Sequence, residues 1–300
     1  MSPLTKPARA PFPVDSAPDE PVVRPFLKWA GGKTRVVPHI RRLLNGAPGD
    51  RLVEPFVGSG AVFLNLPRFP RLLLADANAD LVGLYRHVAD RVDDFVGEAR
   101  RLFVPSNNER TAYFALRDEF NQSPAFGLRR AALFVYLNRH CFNGLCRYNA
   151  KGGFNVPFGR YATVGFPEEE IRRFHARLAA ADEVRIEHAD FRQVLREELR
   201  PGDVVYADPP YVPLSATASF TAYAEGGFGH EEQVALAQAA REAAERGVPV
   251  LLSNHDTPVV RDLYAGAEVE SLPVRRSISR DGANRSDVAE VLAFMRPKRG

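Results

Sequence analysis

The stretch DVVYADPPY at residues 203–211 ends in groups that accept hydrogen bonds and do not donate them. The apolar run before Asp208 predicts a buried strand, so the carboxylate stands at a strand end. The carbonyl before Pro210 is held in place because proline rings lock the backbone torsions. Tyr211 adds a ring on which a planar group can stack. Asp208, Pro209, Pro210 and Tyr211 are therefore candidate catalytic residues that suit a target with two N–H donors, such as the exocyclic amine of a nucleobase.

This amine needs help before it can react. Its lone pair is delocalised into the base, which makes the nitrogen a poor nucleophile. Two acceptors that take both of its hydrogens let the nitrogen pyramidalise and free the lone pair. The remaining requirement is alignment with an electrophile about 3 Å away. A plain strand end would explain two prolines alone, but not an aspartate before them and a tyrosine after them.

A glycine turn follows an earlier predicted strand, in VEPFVGSGAVF at residues 53–63. A strand, glycines and a helix start form a nucleotide-site layout. The dinucleotide pattern G-x-G-x-x-G is incomplete, because Phe63 stands at its third glycine. Asp76 ends the next predicted strand, where an acid can accept hydrogen bonds from ribose hydroxyls. A tight turn with a helix-capping aspartate explains the same residues equally well.

A second pair of glycines lies in PFLKWAGGK at residues 25–33, between Trp29 and Lys33. This loop suits a cofactor with a carboxylate on an aminoacyl chain. The alternative is a capped helix with Trp29 in the core.

These residues require a sheet that positions them. Strands are predicted at residues 51–56, 71–76, 184–188, 203–207, 248–253, 267–279 and 287–295. Helices are predicted to open at 61–66 and to cover 80–103, two segments within 106–140, 168–181, 191–198 and 230–246. The alternation predicts an α/β fold, a mostly parallel seven-stranded sheet with a C-terminal hairpin.

The alternation is interrupted between the second and third strands. Residues 141–165 are rich in glycine, asparagine and aromatic residues, and NAKGGFN predicts a hairpin turn there. We therefore expect a catalytic domain from residues 23–79 and 167–300. An inserted helical and hairpin domain for target recognition would cover 80–166, after a disordered tail at 1–22.

Charge and cysteines narrow the function classes. The net charge is only +3, but residues 21–49 and 120–167 contain no acid and several basic side chains. These are either two solvated basic faces or a track for a polyanion. Cys141 and Cys146, the only cysteines, indicate reduced thiols in a cytosolic protein and no metal site. No run of 18 apolar residues predicts a membrane span.

Three motifs in order carry a resemblance to a known family. FLKWAGGK at 26–33, EPFVGSG at 54–60 and DPPY at 208–211 resemble the Dam family of S-adenosylmethionine-dependent DNA adenine-N6 methyltransferases. The similarity runs from Phe26 to Pro297 and includes YLNRHCFNGLCRYNAKGGFNVPFGRY, SNHDT and VRRSIS. An aspartate before PPY goes mainly with adenine N6. The resemblance implies a Rossmann-like methyltransferase fold and direct methyl transfer to the flipped adenine of GATC in duplex DNA, with S-adenosylhomocysteine as product.

The resemblance also implies site residues. Cofactor contacts would come from Trp29, Ala30, Gly31, Lys33, Glu54, Pro55, Phe56, Gly58, Gly60, Asp76 and Asp208. DNA contacts would come from Lys28, Arg139, Phe142, Asn143, Leu145, Arg147, Asn155, Pro157, Arg160, Arg275 and Arg276. Arg147 could bind guanine O6 and N7 in the major groove. Phe142, which is a tyrosine in close relatives, would insert into the gap left by the flipped base.

The same motifs bear on other possible functions. The alternative is an amino-methyltransferase that acts on another DNA sequence or on RNA. A protein-directed enzyme usually carries asparagine before PPY, and an inactive DNA-binding module would need only the insert. An oxidoreductase is disfavoured by the missing third glycine. We expect a monomer that acts in the cytoplasm on nucleoid DNA.

Overall fold

The computed structural model describes residues 21–212, 228–274 and 288–297. Residues 1–20 of the predicted tail lie outside the described residues, as do Arg275 and Arg276. No helix within the described ranges is both long and apolar enough to cross a membrane.

One sheet organises the chain. Its seven strands are β1 Arg51–Glu54, β2 Arg71–Asp76, β3 Glu183–His188, β4 Asp203–Ala207, β5 Val250–His255, β6 Glu268–Val274 and β7 Val288–Met295. They lie in the order β3-β2-β1-β4-β5-β7-β6. Strands β1 to β5 are parallel, and β7 is antiparallel to both β5 and β6. The predicted mostly parallel sheet with an antiparallel C-terminal pair is confirmed.

The strand order reverses direction between β1 and β4. These two strands pair with each other, and Val53 of β1 lies beside Val205 of β4. Every residue of both strands is buried, as expected for central parallel strands covered on two faces. Loops that leave neighbouring parallel strands at such a switch point diverge and open a crevice. Glu54, at the end of β1, and Asp208, directly after β4, are therefore brought to one edge.

The helices cover both faces of this sheet. They are α1 Val37–Asn45, α2 Ala79–Asp90, α3 Val92–Arg100, α4 Arg110–Gln122, α5 Leu128–His140, α6 Glu168–Ala179, α7 Phe191–Gln193, α8 His230–Glu245 and α9 Pro258–Leu263. Short 3-10 turns occupy Lys33–Arg35, Phe63–Asn65, Pro105–Asn107 and Phe142–Gly144, and a π turn at Val194–Glu198 continues α7.

The helix predicted to open at residues 61–66 is wrong. Only the 3-10 turn Phe63–Asn65 forms there. Pro67 disfavours a helical conformation at Leu66, whose φ of −122° and ψ of 66° end the turn. The ring of Phe63 instead packs edge-on against Phe174, with 4.9 Å between centroids.

The single helix predicted at 80–103 is also wrong. The chain breaks at Arg91, whose φ of −145° and ψ of 59° are not helical. The break lets α2 pack on β2 and β3 as well as on α5, while α3 turns in another direction and also packs against α5.

Strand β5 is displaced from its predicted range of 248–253. It begins at Val250 because Pro249 cannot donate a ladder hydrogen bond. It runs on to His255, so Ser253 and Asn254 lie inside the strand beside β4.

Two apolar clusters fill the two faces of the sheet. Leu52 and Leu72 face one cluster, whereas their neighbours Val53 and Leu73 face the other, as strand alternation requires. The first cluster continues without interruption into helices α2 to α5. The insert therefore shares a core with the sheet, which fixes its position relative to the strand ends.

Candidate active site

Both carboxylate oxygens of Asp208 are engaged. The Lys33 ammonium lies 2.8 Å from Oδ2, and Ser253 Oγ donates to Oδ1 at 2.7 Å. Lys33 is only 5% exposed, and Ser253 is fully buried on the neighbouring strand β5. The carboxylate is therefore fixed in direction, with Oδ1 toward the sheet and Oδ2 toward the glycine loop of residues 25–33.

A buried amide pair holds the loop that follows Asp208. Gln233 Nε2 donates to the carbonyl of Pro210 at 2.7 Å, and the backbone N–H of Val212 donates to Asn254 Oδ1 at 3.0 Å. Asn254 Nδ2 donates in turn to Gln233 Oε1 at 3.1 Å. Within the described residues no donor reaches the carbonyl of Pro209. That carbonyl is thus an available acceptor next to the carboxylate of Asp208.

Tyr211 is oriented on three sides. Its ring meets His255 edge-on, with 4.8 Å between centroids, and its O–H donates to Glu290 Oε2 at 3.3 Å. Lys33 Nζ lies 4.7 Å from the ring centroid. Burial raises the pKa of Tyr211 well above its ordinary value, so the phenol stays neutral. A fixed neutral ring is suited to stacking.

Glu54 is a buried carboxyl with an unsatisfied atom. It is 1% exposed, and its Oε1 has no hydrogen-bond partner within the described residues. Burial raises the pKa of Glu54 well above its usual range, and the charge of nearby Asp208 raises it further. A buried polar atom without a partner marks a place where a ligand can bind, because leaving it unpaired is costly.

The glycine turn closes onto the end of β2. The N–H of Gly58 donates to Asp76 Oδ2 at 3.0 Å, and the N–H of Asn78 donates to Oδ1 at 2.9 Å. Burial raises the pKa of Asp76. Asn78, not Asp76, caps α2. Gly58 has φ +49°, and a Cβ there would lie 3.0 Å from Trp29 Nε1, so the indole covers this turn.

An apolar wall stands beside the same edge. The ring of Phe56, after β1, stacks on Phe191, after β3, with 5.4 Å between centroids and an interplanar angle of 28°. Phe228 meets Phe56 edge-on at 5.6 Å. Three aromatic side chains therefore line the strand edge, where a planar ring could pack.

The remaining predicted cofactor residues lie on the same loops. Pro55 precedes Phe56, and Ala30 precedes Gly31, whose φ is +74°. Gly60 has φ +77°, and a Cβ there would collide with the ring of Phe63 at 2.5 Å. Glycine is therefore required at position 60 by packing and by conformation.

A hairpin projects from the insert, as NAKGGFN predicted. Cys141 bridges Phe158 and Tyr148 bridges Phe154, both antiparallel. The N–H of Asn149 donates to the carbonyl of Gly153 at 2.9 Å and closes the turn.

The inward side of this hairpin rests on the start of α2. Tyr148 O–H donates to Asp80 Oδ2 at 2.7 Å, and Arg130 Nη2 donates to the same oxygen at 3.2 Å. Asn78 Nδ2 contacts Cys146 Sγ at 3.5 Å. The hairpin is thus anchored at Asn78 and Asp80, which lie two and four residues after Asp76 at the end of β2.

Arg147 points to the solvent between these anchors. It is exposed, and its Nε donates to Asn155 Oδ1 at 2.8 Å across the hairpin. The backbone N–H of Asn155 donates to the carbonyl of Arg147 at 3.1 Å. Asn155 therefore orients the guanidinium and leaves part of its donor set for a ligand.

Other predicted DNA contacts lie next to the bridge between Cys141 and Phe158. Phe142 is 49% exposed, and its N–H donates to the carbonyl of Pro157 at 2.8 Å. Asn143 and Arg160 are exposed, with φ of +55° and +56°, and Leu145 is half-buried.

Lys28 connects this hairpin to the glycine loop. Its ammonium donates to the carbonyl of Arg139 at 3.3 Å and lies 4.1 Å from the ring centroid of Tyr161. Burial lowers the pKa of both Lys28 and Arg139. The Nε of Arg139 is buried with no partner within the described residues. Lys28 and Arg139 thus join the two predicted sites.

Sequence comparison identifies the family that this geometry fits. The family model described as D12 class N6 adenine-specific DNA methyltransferase matches residues 29–278. The chain belongs to this family. Its enzymatic activity is adenine-specific methylation of DNA.

Curated relatives agree over nearly the whole chain. DNA adenine methylase of Escherichia coli (strain K12) is 49% identical over 91% of this chain and 96% of that protein. DNA adenine methylase of Serratia marcescens is 51% identical over 91% and 98%. That of Vibrio cholerae is 47% identical over 91% and 96%. A solved rRNA methyltransferase, aviRa from Streptomyces viridochromogenes, aligns with 94% of this chain and 91% of its own at 14% identity, with a TM-score of only 0.38.

Several residues of the methyltransferase site escaped sequence reasoning. Asn254 was missed because its strand was predicted to end at Ser253, although SNHDT is part of the resemblance. Ser253 lay inside the predicted strand, and only the pairing of β4 with β5 gives it a role. Phe191 follows β3 and obeys the same strand-end rule that found Asp208. Gln233 and Tyr161 carry no local signal, since only tertiary contacts give them a role.

Proposed function

We propose that the chain transfers a methyl group from S-adenosylmethionine to N6 of the adenine in GATC of duplex DNA. Family membership establishes adenine methylation of DNA, whereas the donor and the sequence are inferred. The observation that carries the proposal is Asp208, which is fixed at the end of β4 beside the available carbonyl of Pro209 and the oriented ring of Tyr211.

The residues present fit the proposed donor. When bound, S-adenosylmethionine supplies the methyl group on a sulfonium sulfur. The unpaired buried Oε1 of Glu54 offers a partner for a polar group, and Lys33 offers a buried cation for a carboxylate. Asp76 lies at the strand end where ribose hydroxyls can donate to it, and Trp29 covers the turn at Gly58.

Asp208 and Pro209 would prepare the target amine. One N–H donates to a carboxylate oxygen and the other to the carbonyl, which localises the lone pair on nitrogen. Tyr211 stacks on the base, and Pro210 keeps the loop in register through its bond to Gln233. Burial raises the pKa of Cys141 to about 12 and that of Cys146 to about 11, so neither supplies a thiolate for a covalent route.

The adenine must leave the duplex to reach this pocket, because a stacked and paired amine is inaccessible. We assign residues 80–166 to target recognition and residues 23–79 and 167–300 to catalysis. The exposed ring of Phe142 would fill the gap that the flipped base leaves in the DNA helix. The exposed Arg147, oriented by Asn155, would bind guanine bidentately. Lys28, Arg139, Asn143, Leu145, Pro157 and Arg160 complete the proposed DNA surface.

The GATC assignment rests on the resemblance of FNGLCR at residues 142–147 and on the orientation of Arg147. We expect a monomer, since a palindrome can be methylated one strand at a time, and an enzyme that works in the cytoplasm on nucleoid DNA.

A digestion assay tests this function. Unmethylated plasmid is incubated with the protein and S-adenosylmethionine. It is then cut in parallel with an endonuclease that adenine methylation at GATC blocks and with one that tolerates it. Protection from the first enzyme alone is expected.

Nucleoside mass spectrometry of the same plasmid separates the rival outcomes. N6-methyldeoxyadenosine without protection would overturn GATC and leave adenine methylation of another DNA sequence. Absence of N6-methyldeoxyadenosine, with methyl incorporation into duplex or hairpin RNA, would favour an RNA substrate.

A further inference from the structure

We propose that Ser253, supported by Tyr206, is a positioning residue that fixes Asp208 for the target amine. The inference rests on the function proposed for Asp208. It concerns two buried hydroxyls that the motifs of the cofactor and DNA sites do not include.

The sheet brings the three side chains together. Strands β4 and β5 are parallel neighbours, with Ala207 beside Leu252, so Asp208 and Ser253 follow at the same level. Tyr206 lies two residues before Asp208 and projects from the same face. Ser253 is fully buried and Tyr206 is 1% exposed.

The direction of the hydrogen bonds follows from the number of protons. Ser253 has one hydroxyl proton, and it goes to Asp208 Oδ1 at 2.7 Å because a carboxylate only accepts. Tyr206 must therefore donate to Ser253 Oγ across 3.0 Å. Burial raises the pKa of Tyr206 well above its ordinary value, which keeps its proton in place. The result is a one-way chain from Tyr206 through Ser253 to Asp208.

This series of hydrogen bonds gives the two carboxylate oxygens of Asp208 different roles. Oδ1 is held from the sheet side by Ser253. Oδ2 faces Lys33 and the glycine loop, and it is the oxygen that can be exchanged between the lysine and the target amine. Without the serine hydroxyl the carboxylate can rotate about its Cβ–Cγ bond, and Oδ2 loses its fixed direction. The alignment of the amine would suffer, whereas the surfaces that bind DNA would remain.

The experiment measures single-turnover methylation of a GATC duplex by Ser253→Ala, Tyr206→Phe and the double variant. Ser253→Ala is expected to lower the methyl-transfer rate about 10- to 100-fold, a range typical of small misplacements of reacting groups. Tyr206→Phe leaves the serine in place and is expected to lower the rate by less. The double variant should match Ser253→Ala, because the tyrosine acts only through the serine.

Binding readouts separate positioning from folding. The affinity for DNA, the affinity for S-adenosylhomocysteine and the fluorescence rise of 2-aminopurine at the target position should stay within about twofold of wild type, a change small beside the tenfold that 1.4 kcal/mol represents. Ser271→Ala is the matched control, since Ser271 Oγ also donates to an aspartate, Asp256 Oδ2, at 2.6 Å, and lies on β6, which β5 and β7 separate from β4. Tyr136→Phe is the control for Tyr206, because Tyr136 is also fully buried and its hydroxyl donates to the backbone carbonyl of Asn107. Both controls should keep the wild-type rate.

A wild-type rate for Ser253→Ala would overturn the inference, as would fully additive losses in the double variant. Equal losses in rate, DNA affinity and 2-aminopurine signal would show a merely structural role and overturn it too. Should Ser253→Ala not fold, Tyr206→Phe at an unchanged rate contradicts the chain by itself. These outcomes apply when the wild-type protein is active. A wild-type protein that makes no N6-methyldeoxyadenosine would contradict the proposed function and not the positioning role of Ser253.

Discussion

Lys33 and Asp208 form an ion pair at the centre of the site, with Nζ 2.8 Å from Oδ2. The oxygen that we assign to the target amine is therefore engaged by a cation when no base is present. The amine must replace Lys33 there, and a carboxylate on the methyl donor is a suitable alternative partner for the lysine. The pair thus couples the two halves of the site through one side chain.

Substitution of Lys33 tests this coupling. Lys33→Ala removes a buried cation, and a hydrogen bond between charged groups contributes about 1.5–3 kcal/mol. We expect S-adenosylhomocysteine to bind at least about tenfold more weakly, as measured by isothermal titration calorimetry. Lys151→Ala, which removes an exposed lysine from the hairpin turn, is the control and should bind normally. An unchanged affinity for Lys33→Ala would rule out the carboxylate contact.

Arg147 is expected to read sequence. Arg147→Ala should lower kcat/KM on a GATC duplex about 10- to 100-fold, because a bidentate contact to a base contributes about 1–3 kcal/mol of discrimination. It should also reduce the penalty for replacing the final C·G pair of the site. Arg147→Lys should not restore discrimination, since an ammonium cannot form the fork. The assay compares cognate and substituted duplexes.

Arg101→Ala is the matched control for Arg147, because the side chain of Arg101, directly after α3, is 79% exposed. A variant at Arg147 that loses activity equally on both duplexes would show a contact to phosphate and not to a base.

Much of this site could be predicted because strand ends are local signals. The apolar runs at 71–76 and 203–207 match β2 and β4 residue for residue, which placed Asp76 and Asp208 at one edge. The hairpin turn at 149–153 was equally evident from its glycines and asparagine. What failed depended on tertiary packing. The run at 61–66 is apolar except for Asn65, and periodicity alone cannot decide whether such a short run forms a helix.

The partners of Asp208 could not be predicted for a related reason. Ser253 acquires its role only through the pairing of β4 with β5, and Lys33 only through a loop that crosses the sheet edge. Neither contact has a fixed spacing along the chain. The resemblance to the family identified Lys33 as a site residue. The role of Ser253 is evident only from the register of β4 against β5.

The contact between Tyr148 and Asp80 is expected to hold the hairpin in its reading position. Burial raises the pKa of Tyr148, so its phenol remains a donor to the carboxylate at 2.7 Å. Tyr148→Phe leaves Asp80 with one donor fewer, and loss of a hydrogen bond to a charged group costs about 1.5–3 kcal/mol. We expect a lower melting temperature and weaker discrimination between GATC and substituted duplexes, with unchanged affinity for S-adenosylhomocysteine.

Tyr136→Phe serves as the control for Tyr148 as well, since it should affect stability alone. Full discrimination by a destabilised Tyr148→Phe would mean that the hairpin does not depend on this anchor.

Glu54 makes stability depend on pH. Its folded-state pKa is raised by burial above the ordinary 4.5. Below pH 4.5 the carboxyl is protonated in both the folded and the unfolded state. As the pH rises above 4.5, the unfolded chain releases the proton while the folded chain keeps it. The free energy of unfolding therefore falls as the pH rises toward the folded-state pKa.

Glu54→Gln removes this titration. The free energy of unfolding is measured in urea for both proteins. We expect the variant's value minus the wild-type value to increase by at least about 1 kcal/mol from pH 5 to pH 8. Glu231→Gln, at an exposed position of α8, should show no such gain. A constant difference between Glu54→Gln and wild type across this range would contradict a buried protonated carboxyl.

The most direct measurement is methyl incorporation from labelled S-adenosylmethionine into a GATC duplex by Asp208→Ala. The variant loses the acceptor for the target amine, and removal of one such polar contact to a reacting group typically costs about 100- to 1000-fold in rate. A loss of that size with DNA binding retained is the predicted result. Turnover at the wild-type rate would contradict the account.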